Sequence, residues 1–108
     1  MNERNLKIEL VRFTAMTTTE KVAWLSNLLF VLSMLARETY EAGTHDVTEP
    51  ARLRKFNELI HRVASFQRGL LLPTAHRMPD EVMFELLDLS FSSLNLSASA
   101  VLRLFWEP

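Results

Sequence analysis

The chain has 108 residues, 48% of them hydrophobic and 23% charged, and a formal net charge of −1. That is the size and mixture of one globular domain rather than a disordered chain, and the near-neutral balance supplies no general pull towards nucleic acid. Two glycines and four prolines are too few turn markers for an all-β fold, and the absence of cysteine excludes disulfides, thiolate zinc sites and cysteine nucleophiles.

Residues 1–15 carry two patterns at once. Lys7 to Phe13 alternates in part, as a strand would, whereas Leu6, Leu10 and Phe13 also fit helical spacing. A lone strand would need another chain to pair with. The segment therefore reads as an N-terminal arm or short helix over 1–15, ahead of a single helical domain over 16–108. Lys7, Glu9 and Arg12 interrupt its apolar residues, so it lacks the continuous apolar run of a secretory signal. With no cysteine to oxidise, the expected location is cytoplasmic.

Thr17-Thr18-Thr19-Glu20 offers a capping box, which predicts a helix from about 17 to 42 that stops at Gly43. Between Val22 and Ala36 this helix is apolar almost all the way round. Its polar residues there are Ser26, Asn27 and Ser33, and Ser26, Phe30, Ser33 and Arg37 share one narrow stripe. A helix of this kind has to be enclosed. The run is shorter than the ~20 residues that cross a bilayer, so the expectation is a core helix and no membrane partner. The chain's other helices offer little surface for that enclosure. Trp24, Leu28, Phe30, Val31 and Leu35, with Phe105 and Trp106 from the opposite end of the chain, are accordingly the candidate interface of a homodimer.

A second helix is predicted over 49–69, with Asp46 or Thr48 as N-cap and Pro50 in its first turn. Leu53, Phe56, Leu59, Ile60, Val63, Phe66 and Leu70 recur at threes and fours, and Arg54, Glu58 and Arg62 mark the opposite side. Glu58-x-x-His61 puts a carboxylate and an imidazole on one helical face. Ferritin-like bundles use such a pair on each of two helices, together with further glutamates. A symmetric dimer would supply two, so Glu58 and His61 are the metal-ligand candidates of an alternative reading, a metal-binding bundle. Arg52, Arg54, Lys55, Arg62 and Arg68 give the helix a basic face, which is the basis of a second alternative, nucleic-acid binding. Helix-turn-helix readers join short helices by a tight turn, unlike the long helices here, and the chain as a whole is not basic.

Pro79 opens a third helix over 79–92, with Asp80 and Glu81 well placed against its dipole and Glu85 and Asp88 following. This acidic block can attract the basic 52–68 block within the fold or across a dimer. Serines at 92–97 predict a break before a last short helix over 97–106. The loop histidines His45 and His76 sit in no recognisable ligand or catalytic spacing. The chain also lacks a strand-turn-helix nucleophile elbow, a glycine-rich phosphate loop and an HExxH motif, leaving no catalytic or cofactor chemistry to attach. The fold expected is an all-α, small antiparallel helical bundle of three main helices plus a short C-terminal helix. The function expected is a non-enzymatic helical protein–protein interaction or regulatory module, paired with itself as a homodimer and with an unidentified protein.

Overall fold

The structure, a computed structural model, describes residues 6–42, 49–72 and 77–106. These residues form five helices and no strand: α1 Leu6–Ala15, α2 Thr18–Ala42, α3 Glu49–Leu70, α4 Asp80–Ser93 and α5 Ala98–Trp106. The pattern that left residues 1–15 open resolves as helix, because Leu6, Glu9 and Phe13 fall on one face and all three are buried. The proposed stop at Gly43, the N-caps at Asp46 and Thr48 and the loop residues His45 and His76 lie outside the described residues.

Local chemistry sets the ends. At the start of α2 the Thr17 N–H donates to Glu20 Oε1 at 2.9 Å, and the Glu20 N–H donates back to Thr17 Oγ1 at 3.2 Å. The capping box is thereby closed and two otherwise orphaned donors are satisfied. At the other end of the chain, α4 stops in a Schellman arrangement. The Leu96 N–H reaches the Phe91 carbonyl at 2.8 Å and the Asn95 N–H reaches Ser92 at 3.1 Å, with Asn95 at φ 57°. Asparagine tolerates this left-handed position, which is why the serine-rich stretch breaks here without a glycine. Ser97 then starts α5, its Oγ accepting the Ala100 N–H at 3.4 Å.

The core is built around aromatic rings, one from each helix. Phe13 of α1 lies 5.2 Å from Trp24 of α2, 5.3 Å from Phe84 of α4 and 6.3 Å from Phe66 of α3, between ring centroids. Trp24 continues the cluster to Phe84 at 5.5 Å and to Phe105 of α5 at 4.9 Å. Aliphatic side chains extend it along α2, with Leu25, Leu28, Val31 and Leu32 meeting Phe56, Leu59 and Val63 of α3 in one buried cluster. Lys21 closes one edge: its Nζ sits 5.3 Å above the Phe13 ring and 2.9 Å from Asp80 Oδ2.

Among the described residues, α2 is the one helix long and apolar enough to cross a membrane, with a mean hydropathy of 1.2 in its most apolar stretch. It is longer than the apolar run 22–36 suggested, so length alone does not argue against a span. Within this fold its apolar side packs on α3 and α5. Its outward stripe carries Ser26, Asn27, Ser33 and Arg37 beside Phe30, all exposed.

The two hydrogen bonds from Thr17, the backbone one first, hold the Glu20 carboxyl below its usual range. A lowered folded-state value means that this contribution is present above the unfolded-state pKa and lost as pH falls through the folded one. Titration of the Glu20 carboxyl by NMR will therefore show an inflection below that of glutamate in an unfolded peptide. The Thr17→Ala chain keeps the backbone N–H donor and loses only the hydroxyl, so it will show the inflection moved part of the way back up; a wild-type inflection at the unfolded-peptide position would rule out the capping box as a cause of any shift.

Candidate functional site

Helix geometry sorts the residues singled out by sequence into two groups. Trp24, Leu28, Val31 and Phe105 are buried within this chain, facing the aromatic and aliphatic core described above. Leu35 is partly buried against the same core. Phe30 and Trp106 remain at the surface, 67% and 39% exposed, and Trp106 packs edge-on against Phe105 at 4.9 Å. Of the seven apolar residues expected at an interface, the single chain thus encloses four by itself. The covering surface comes from α3 and from α5, which both pack on α2.

Glu58 and His61 lie on the exposed side of α3, turned away from Phe56, Leu59 and Val63. Ferritin-like sites need such side chains pointing inward, between helices. Among the described residues no group of three or more His, Asp or Glu side chains is placed to hold a metal ion.

Among the described residues, buried polar atoms without a partner occur at Glu9 and Trp24 in the core and at Arg52 Nε on α3, and the sequence reading missed them. Glu9 is fully buried; its Oε1 accepts from Arg12 Nη1 at 3.5 Å and its Oε2 has no hydrogen-bond partner. Trp24 Nε1 is likewise enclosed without one. The signal was present as a lone acid at a helix-spaced core position between Leu6 and Phe13, but the competing strand pattern masked it. Closed off from solvent, neither atom offers a site to an outside ligand.

The charge blocks carry more. Between 49 and 70, α3 bears five cations against Glu49 and Glu58, whereas α4 bears Asp80, Glu81, Glu85 and Asp88 and no cation. The two helices pack together, yet the described residues show no ion pair between them. The ion pairs present are Arg12–Glu9, Lys21–Asp80 and Arg37–Glu41. Geometry explains the missed pairing. An open groove of about 270 Å³ runs between the helices, edged by Lys55, Glu58 and Arg62 on α3 and by Leu86, Leu89 and Ser90 on α4. At 100° per residue, Glu81, Glu85 and Asp88 sit about 120° further round α4 than the side chains that edge this groove. Lys55 and Arg62 edge the groove beside α4, but the acids of α4 face away.

Comparison with protein-family models, with curated proteins and with solved structures returns no match for this chain.

Charged substitutions on α2 will separate core from surface. Leu28→Glu buries an unpaired carboxylate at a fully enclosed position and will leave the chain unfolded or destabilised by more than about 4 kcal/mol. Phe30→Glu, about 200° round the helix from Leu28, will change stability by about 0.5 kcal/mol or less. Urea denaturation followed by circular dichroism reads both, and equal sensitivity at the two positions would contradict this placement of the helix faces.

Proposed function

We propose that the chain is a non-catalytic helical interaction module that acts as a homodimer. The observation that carries this reading is apolar surface left outside a core that is otherwise complete. Val82 and Leu89, seven residues apart on one side of α4, are both exposed, as are Phe30 and Tyr40 on α2, and exposed apolar surface gathered on one face is a mark of interaction sites. Charged groups left without partners at the same surface add to it, since such groups favour and orient association more than they stabilise a fold.

Part of the same reading is that α2, α3 and α4 run as antiparallel neighbours. Six residues join α2 to α3 and nine join α3 to α4, the first within and the second just beyond the usual length of connections between antiparallel neighbours in bundles. Gln67, near the end of α3, donates to the Val22 carbonyl at 2.9 Å and to Ser26 Oγ at 2.7 Å, near the start of α2. Lys21 and Asp80 bring the starts of α2 and α4 together. Both contacts support an up-down-up course, which leaves the outer faces of α3 and α4 side by side along their length.

Light scattering on the purified chain at micromolar concentration tests the reading. Twice the mass of one chain is expected, with dissociation on dilution. A single-chain mass up to about 100 μM, a concentration at which even weak specific pairs associate, would contradict it.

A further inference from the structure

We infer that the second copy docks on the flank shared by α3 and α4, with the α3 cations of each copy against the α4 acids of the other. The inference rests on the homodimer reading above and adds where the two chains meet and what selects that face. Three stripes lie side by side on this flank. The first is cationic: Lys55 and Arg62, both exposed, are seven residues apart on α3 and so share one side of it. The second is apolar: Val82 and Leu89 on α4, 43% and 70% exposed, are also seven residues apart. The third is acidic: Glu81 and Asp88, again seven apart, with Glu85 between them, all exposed.

Seven residues of helix advance about 10.5 Å while returning to nearly the same side. Each stripe therefore presents its two ends at the same separation; Arg62 edges the groove with Leu86 and Leu89 and so lies nearest the level of Glu85 and Asp88, while Lys55, beside Ser93 and Leu94, lies towards the C-terminal end of α4. The order of the stripes matters as much as their spacing. A two-fold interface joins a patch to itself, so the patch must be self-complementary. Basic, apolar and acidic stripes in that order satisfy this condition. A two-fold axis running along the Val82–Leu89 ridge sets ridge against ridge and brings each basic edge onto the partner's acidic edge. Neither edge is engaged at home: among the described residues, Lys55, Arg62, Glu81, Glu85 and Asp88 make no ion pair. Rotation of the acids away from α3 within one chain is what leaves both edges free for the other copy.

The test uses charge reversal at these exposed positions. Sedimentation velocity is run on the wild type, on Lys55→Glu/Arg62→Glu, on Glu81→Lys/Asp88→Lys, and on an equimolar mixture of the two variants, with circular dichroism to confirm that each is helical. A wild-type dimer is expected, with each variant alone weakened at least tenfold in its dimer dissociation constant. In the mixture, dimers are expected to return, because an all-acidic flank then meets an all-basic one. Independently of any variant, raising salt from about 0.05 to about 0.5 M will weaken the wild-type dimer by screening these pairs. A wild-type dimer indifferent to salt and to both reversals would overturn this placement while leaving the homodimer reading intact. A wild-type monomer overturns both. A monomer that instead shifts a DNA or RNA duplex probe, more tightly after Glu81→Lys/Asp88→Lys, would assign the basic edge to nucleic acid and overturn the inference as well.

Discussion

Five helices are tied together by five rings, and two of them, Phe13 and Trp24, each meet rings from three other helices. Phe13 touches Trp24, Phe66 and Phe84, and Trp24 hands the contact on to Phe105. Aromatic pairs at these centroid separations are each worth about 0.5–1.5 kcal/mol beyond the area they bury. Their geometric effect is as large, because a ring clamped on several sides fixes the rotation of every helix that contributes to it. Once Phe84 is turned inward against Phe13 and Trp24, α4 has no freedom left in where its other side chains point. Val82 and Leu89 face outward, and Glu81, Glu85 and Asp88 follow on the side away from α3.

The surface is therefore a consequence of the core. Had α4 been free to rotate by about a third of a turn, its acids could have met Lys55 and Arg62 within one chain, at a gain of ~1 kcal/mol or less for each exposed pair. Burying Met83, Phe84, Leu87 and Phe91 is worth several times that, at roughly 1.5–3 kcal/mol for each large apolar side chain. Hydrophobic burial decides the rotation, and the charges are left at the edges of an exposed apolar ridge. The same balance accounts for α2, where the core takes Trp24, Leu28, Val31 and Leu32, leaving Ser26, Phe30, Ser33 and Arg37 outside.

Much of this was legible in the residues themselves. The Thr17–Glu20 box, the three-and-four spacing of Phe56, Leu59, Val63 and Phe66, and the outward stripe on α2 can all be read from order alone, because each depends on neighbours within a few turns. Segments 17–42, 49–69, 79–92 and 97–106 read as helices match α2 to α5 within a residue or so at each end. What order could not show is which apolar surface covers which. An apolar helix announces that it must be enclosed and leaves open whether its own chain does the enclosing, so Trp24, Leu28, Val31 and Phe105 looked like interface and are core. The 1–15 segment was obscured by Glu9, an acid at a core position, which makes a helical face look like a broken alternation. Opposite charge on α3 and α4 was visible as composition, but a charge count carries no direction around a helix axis.

The claim on which the rest depends is that Phe13 sits at the centre of the ring cluster and sets the rotation of α4. A nuclear Overhauser spectrum of the protein with its phenylalanine and tryptophan rings selectively labelled tests it most directly. Cross-peaks from the Phe13 ring to Trp24 and to Phe84 are predicted, with a Trp24 to Phe105 contact in the same spectrum. A Trp24 to Phe84 contact without any from Phe13 would contradict the account, since α1 would then lie outside the core and the orientation of α4 would need another cause.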